Sequence, residues 1–200
     1  MGKEFRVCPK SRIFEVFTPW RYGTKKRNCM RIALVGYMGS GKSTVGRLLA
    51  ENLGVSFTDL DDYIVARLGQ SIPEVFREKG EIYFRKQEHR LLKEWLQSGE
   101  SGVLALGGGT PCYAGNMELL LAQADAVCYL QVSVPELARR LRQGQESRPL
   151  IAHLHPEELP EFIGKHLFER APFYARAMHV LPADKHSPEE LAAQILEKVS

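Results

Sequence analysis

The chain is defined first by what it lacks. Its four cysteines, Cys8, Cys29, Cys112 and Cys128, form no C-x-x-C pair and have no metal-ligand spacing, which points to free thiols in a reducing compartment rather than a disulfide framework. No apolar run reaches the roughly eighteen residues that a membrane-spanning helix needs. The formal charge is only +3, and the basic residues are not gathered into a stripe with interleaved aromatics, so there is no electrostatic footprint for nucleic acid. Internal repeats, low-complexity tracts and linkers are also absent. What remains is 200 residues with 44% hydrophobic content, enough to bury one good core in one domain.

The first 29 residues break this regularity. They mix Lys3, Arg6, Lys10, Arg12, Arg21, Lys25, Lys26 and Arg27 with scattered aromatics such as Phe14, Phe17 and Trp20. They have neither the apolar centre of a signal peptide nor the serine richness and acid-poor character of a transit peptide, since Glu4 and Glu15 are present. Residues 1–29 are expected to be a poorly ordered N-terminal extension, and a chain starting at Met30 is expected to be active.

The most informative stretch is Gly36-Tyr37-Met38-Gly39-Ser40-Gly41-Lys42-Ser43-Thr44, which fits G-x-x-x-x-G-K-[ST]. Its glycines let successive backbone N–H groups turn toward an anion, and the following helix presents its positive end. Lys42 can reach the β and γ phosphates of a nucleotide, and the Ser43 hydroxyl can ligate Mg²⁺. Arg31 to Val35 before it has strand character. Val45, Leu48, Leu49 and Leu53 after it recur at helical spacing until Gly54.

Downstream, strand-like runs at Val55–Thr58, Val103–Leu106, Ala126–Val132 and His179–Leu181 alternate with helical patterns. Helices are expected at Tyr63–Leu68, Pro73–Glu78, Glu81–Leu96, Asn116–Leu121, Pro135–Arg142, Glu157–Arg170 and Pro188–Val199. Such alternation predicts βαβ units and an α/β fold with a small five-stranded parallel sheet. Between residues 143 and 156 the periodicity fades. This segment, which contains Arg148, is expected to be a mobile lid with no strong anchor in the core.

Several residues fit phosphoryl transfer, which needs a metal, positive charge and a group that orients the acceptor. Asp59 and Asp61 are two apart at the end of the second strand. On a strand both carboxylates would leave the same face and point into the crevice beyond the carboxyl edge, with Asp62 left to cap the next helix. Arg85 has Glu81 four residues before it and Glu88 three after. That spacing suits either surface ion pairs or a guanidinium held ready for a substrate carboxylate. Gly107-Gly108-Gly109 follows a strand and implies close approach of backbone to a ligand.

In order and spacing, six segments resemble the shikimate kinase family over Met30 to Val199. They are the Gly36–Ser43 loop, Asp59-Leu60-Asp61, Phe84-Arg85-Lys86-Gln87-Glu88, Gly107-Gly108-Gly109, Arg148-Pro149-Leu150 and Glu169-Arg170-Ala171-Pro172-Phe173-Tyr174. The resemblance implies a three-layer P-loop NTPase fold and transfer of the γ-phosphoryl of MgATP to the 3-hydroxyl of shikimate, in a cytoplasmic monomer of aromatic amino-acid biosynthesis. It further implies that Asp61, Arg85, Gly107, Gly108, Gly109 and Arg170 bind shikimate, that Glu88 steadies Arg85, and that Phe76 and Phe84 wall the ring. Gly39, Ser40, Gly41, Lys42, Ser43, Thr44 and Arg148 would bind ATP, and Ser43 and Asp59 would support Mg²⁺. Lys42, Asp61 and Arg148 are the implied catalytic residues. An adenine-contacting arginine in this family lies on the helix before the lid. Arg139, Arg140 and Arg142 all compete for that role here, and Arg140 is grouped with the ATP-binding set. A kinase for another hydroxylated acid, such as gluconate, and a nucleotide-operated switch are the rival readings, although no N-K-x-D guanine-reading sequence occurs.

Overall fold

The computed structural model describes residues 30–148 and 150–199. The expectations for residues 1–29 therefore lie outside the described residues, as do Cys8, Cys29 and Pro149. Five strands, β1 (Arg31–Val35), β2 (Ser56–Asp59), β3 (Gly102–Ala105), β4 (Ala126–Gln131) and β5 (His179–Pro182), pair in the order β2-β3-β1-β4-β5. Every pairing is parallel, as the alternation of strands and helices predicts. The seven helices among the described residues are α1 (Lys42–Leu53), α2 (Leu60–Leu68), α3 (Ile72–Leu96), α4 (Asn116–Gln123), α5 (Val134–Arg142), α6 (Leu159–Tyr174) and α7 (Pro188–Val199).

Strand alternation separates the core into two layers. Ile32 and Leu34 of β1 and Cys128 and Leu130 of β4 face one side, where they pack with Val45 and Leu49 of α1, Leu137 and Leu141 of α5 and Ile195 of α7. Ala33, Val35, Val127 and Tyr129 face the other side, against Leu60 and Ile64 of α2, Leu91 and Leu92 of α3 and Leu120 of α4. These residues are continuous apolar runs because a central parallel strand is covered on both faces.

Helix α1 lies very close to the sheet at Gly46, where an added Cβ would come within 2.5 Å of the Phe57 ring and 3.2 Å of Leu34. We expect Gly46→Ala to cost about 1–3 kcal/mol, since overpacking outweighs the gain in helix propensity. That should appear as a fall of roughly 2–10 °C in a thermal melt. An unchanged melting temperature would mean that Phe57 yields freely.

The two helices expected at 73–78 and 81–96 form one element broken at Gly80, whose φ of 78° and ψ of 171° lie outside the helical region. Glycine is the residue that adopts this conformation at little cost. A reciprocal capping box between Ser71 and Glu74 starts the element. Helix α6 has Pro160 in its first turn and passes through Pro172 to end at Tyr174.

The expected lid needs one correction. The described residues of 143–156 contain no regular element beyond a short 3₁₀ turn at Gln145–Ser147, but the segment is anchored. Ile151 is fully buried in the main core, and the Gln145 side-chain amide donates to the carbonyls of Ile151 (2.8 Å) and Leu154 (2.7 Å). One buried isoleucine leaves no periodic signal, so the sequence pattern could not reveal it.

Candidate active site

Strand order brings the chemistry together. β1 lies between β3 and β4, so the loop leaving β1 stands beside the loop leaving β3, with the end of β2 next in line. All these ends are at the carboxyl edge, where open α/β sheets bind ligands.

In the first loop Gly36, Gly39 and Gly41 all have positive φ, and a Cβ on Gly36 would lie 2.9 Å from both the Leu130 carbonyl and the Ser40 hydroxyl. The curled loop holds the Lys42 ammonium, which donates to the carbonyls of Gly36 and Tyr37, each at 2.9 Å, and lies 3.4 Å from Ser40 Oγ. Burial lowers the Lys42 pKa to about 8, with Asp61 and Asp59 opposing the shift. Ser40 is buried, whereas Thr44 is exposed on the first turn of α1.

The paired aspartates sit differently from expectation. Asp59 ends β2 and is the N-cap of α2, with its carboxylate accepting the Asp61 backbone N–H at 3.1 Å. Asp61 thus belongs to the first helical turn rather than to a strand face, and Asp59, not Asp62, makes the cap. The preference of aspartate for a helix N-cap overrides continuation of the strand. The other Asp59 oxygen accepts from Ser43 Oγ at 2.9 Å. The two expected metal ligands are therefore in contact as an oxygen-only donor pair. This suits Mg²⁺, which takes few protein ligands and fills its octahedron with water and phosphate. No cluster of three or more His, Cys, Asp or Glu side chains suited to a metal occurs among the described residues. Burial lifts the Asp61 carboxyl to a pKa of about 6, with Asp59 and Glu88 adding to the rise and Lys42 opposing it.

The glycine run after β3 faces these groups residue by residue. A Cβ on Gly107 would lie 2.9 Å from Asp61 Oδ1, one on Gly108 3.6 Å from Arg170 Nη1, and one on Gly109 3.3 Å from Arg85 Nη2. The absence of a side chain keeps Asp61 close to the backbone at Gly107 and Arg85 close at Gly109, while a Cβ on Gly108 would make ordinary contact with Met38 N (3.5 Å) and Arg170. Arg85 Nη1 donates to Glu88 at 2.9 Å and Nε to Glu81 at 3.3 Å, and the Tyr113 ring stacks 3.9 Å from the guanidinium carbon. Glu88 is buried, so its pairing with Arg85 is not a solvent-facing surface bridge. Phe76 and Phe84 stack with ring centres 4.7 Å apart beside them.

The arginines near the phosphate loop separate by direction. Arg139 pairs with Glu136 in solvent, and Arg142 rims a cleft against Gly144, Gln145 and Leu154. Arg140 reaches back to the carbonyls of Ser40 (3.5 Å) and Ala183 (2.9 Å), which sets it against the phosphate loop. Arg148 is not brought to that loop. Its guanidinium donates to the lid's own Gln143 and Gly144 carbonyls at 3.0 and 2.8 Å.

Sequence reasoning missed a second set of residues. The Tyr174 hydroxyl donates to the Gly108 carbonyl, and Thr110 and Asn116, both fully buried, connect to Glu88 and His89. Thr110 directly follows the glycine run and Tyr174 closes the Glu169–Tyr174 segment, which were the available signals. Among the described residues no helix is long and apolar enough to cross a membrane, and Cys112 and Cys128 are free thiols.

Comparison with known proteins shows the family. The family model for shikimate kinase matches residues 38–200. A shikimate kinase of Flavobacterium johnsoniae is 46% identical over 168 residues, covering 84% of this chain and 97% of that protein, and one of Flavobacterium psychrophilum is 42% identical. The crystal structure of shikimate kinase from Bacteroides thetaiotaomicron superposes with a TM-score of 0.78 at 38% identity, covering 85% of this chain and 97% of that one. Shikimate kinase from Acinetobacter baumannii in complex with shikimate gives a TM-score of 0.76 at 35% identity, covering 86% and 93%. With the P-loop, the parallel sheet and the glycine-flanked arginines all in place, the chain belongs to the shikimate kinase family, ATP-dependent phosphotransferases with an alcohol acceptor.

Proposed function

We propose that phosphoryl transfer from ATP to the shikimate 3-hydroxyl is carried on this chain by two clamps that meet at the Gly107–Gly109 run. The observation that carries this reading is the one-to-one facing of those glycines with Asp61, Arg170 and Arg85. A small polyhydroxylated carboxylate needs planar, charged donors at one end and an oriented acceptor at the other. Arg85 and Arg170 bind the carboxylate, Asp61 accepts the ring hydroxyl, and Phe76 and Phe84 cover the apolar edge of the ring.

On the nucleotide side, Gly39, Ser40, Gly41, Lys42, Ser43 and Thr44 surround the phosphates, and Arg140 lies on the base side. Ser43 and Asp59 are the residues that would hold Mg²⁺, which supplies charge neutralisation at the β and γ oxygens when bound. Lys42 stabilises charge on the transferred group, and Asp61 takes up the hydroxyl proton as the acceptor oxygen bonds to the γ phosphorus and the bond to the β–γ bridging oxygen breaks, releasing ADP. Arg148 would join them by leaving the Gln143 and Gly144 carbonyls that it holds in this structure. The reaction serves aromatic amino-acid biosynthesis in this reading, and free thiols fit a cytoplasmic enzyme.

The test is a coupled ADP-release assay run in parallel with shikimate, gluconate and no acceptor. Release should require shikimate. Equal release without acceptor would reduce the chain to an ATPase or a switch. In the same assay Arg85→Ala should raise KM for shikimate roughly 10- to 100-fold, the loss of charge-assisted hydrogen bonds, with a smaller effect on kcat. A wild-type KM in that variant would remove Arg85 from the clamp.

A further inference from the structure

We propose that Thr110 is a positioning residue for shikimate, acting through Glu88 to fix the plane of the Arg85 guanidinium. The proposal rests on the reading of Arg85 as a carboxylate clamp. Arg85 has two carboxylates within reach on its own helix, Glu81 in solvent and Glu88 in the core. It holds both at once, Nε on Glu81 at 3.3 Å and Nη1 on Glu88 at 2.9 Å, so the orientation of the buried Glu88 carboxylate sets where the remaining donors of the rigid fork point.

Thr110 fixes that orientation. Its hydroxyl donates to Glu88 Oε1 at 2.7 Å while Arg85 Nη1 occupies Oε2 at 2.9 Å, so the buried carboxylate has a partner on each oxygen and a single orientation. Thr110 is itself held from behind. Its carbonyl accepts from Asn116 Nδ2 at 2.8 Å, and its N–H donates to the Gly107 carbonyl at 3.1 Å. With Asn116 Nδ2 donating, Asn116 Oδ1 is the acceptor for His89 Nδ1 at 2.8 Å, which returns the chain of bonds to α3 one residue beyond Glu88. The glycine run after β3 and the arginine on α3, two separate parts of the substrate site, are thus tied by one hydroxyl. The same hydroxyl would lie 3.0 Å from a Cβ on Gly107, so a side chain at that glycine would disturb Thr110 as well as Asp61.

Thr110→Val keeps the shape and removes the donor, leaving Glu88 Oε1 buried without a partner. We expect KM for shikimate to rise about 10-fold, with kcat and KM for ATP within about 2-fold of wild type. Thr110→Ser, which keeps the hydroxyl, should restore KM, and in an Arg85→Ala background Thr110→Val should add nothing further. The proposal is overturned if Thr110→Val leaves the shikimate KM unchanged, if Thr110→Ser is as impaired as Thr110→Val, or if KM for ATP rises in step. An Arg85→Ala variant with a wild-type shikimate KM would instead overturn the clamp reading itself, so the two failures are distinguishable by assaying the variants side by side.

Discussion

Lys42→Ala should lower kcat about 10³-fold or more, an effect near the upper end of what one catalytic electrostatic contact supplies. The ammonium is held by the Gly36 and Tyr37 carbonyls of the phosphate loop, each at 2.9 Å. Burial lowers its pKa to about 8, so below that pH the group is still cationic, and an anionic phosphate beside it favours the charged form further. Alanine removes the only cation that the loop itself carries and takes the Lys42 donor from the Gly36 carbonyl, while the Tyr37 carbonyl keeps the Ser40 N–H at 3.1 Å. Steady-state kinetics with a parallel thermal melt separate lost chemistry from lost fold. A folded variant retaining more than a tenth of wild-type kcat would exclude Lys42 as the main stabiliser of charge on the transferred group.

Asp61→Asn is the second large expected effect, with kcat falling about 10²- to 10⁴-fold if the carboxylate accepts the proton of the attacking hydroxyl. Asparagine preserves the shape and the hydrogen bond but cannot take the proton. The sign of the pH dependence follows from the ionised form being the active one. Burial, together with Asp59, Glu88 and Asp62, raises the pKa to about 6 against the pull of Lys42, so kcat/KM should fall as pH drops through that region. A cation held at Asp59 favours the ionised carboxylate and moves this acidic limb to lower pH. The limb should disappear in Asp61→Asn. A variant that keeps both wild-type kcat and the limb would assign the proton to another group.

The phosphate loop was fully legible in the sequence because strand, glycine turn and helix are contiguous, so local spacing carries the whole geometry. The parallel five-stranded sheet was legible for a similar reason, through the alternation of periods. Asp59 and Asp61 were recognised as a pair, but their orientation was not. A strand period and a helix cap compete over two residues, and the cap prevails through the Asp61 N–H bond. Arg85 was ambiguous from its spacing because Glu81 and Glu88 are equivalent on a helix surface. The buried Thr110, 22 positions from Glu88, distinguishes them, and a contact over that distance leaves no local pattern. Among Arg139, Arg140 and Arg142 the answer depends on how α5 is rotated against the loop, which only packing determines.

Ile151 gives the lid an inside as well as an outside. With its side chain sunk in the core and Gln145 bracing the carbonyls of Ile151 and Leu154, the segment is pinned at its waist, and the closure proposed above for Arg148 would move the stretches leading to and from that pin. Arg148 rides on the stretch just before it. Substitutions at exposed positions such as Glu146 or His153 would therefore tune closure without loosening the protein, whereas damage at Ile151 would register twice, as a weaker fold and as an active site that leaks phosphate to water. A screen scored on turnover alone would confuse the two, and the lid's sequence tolerance is best judged with stability and acceptor-free ATP hydrolysis measured together.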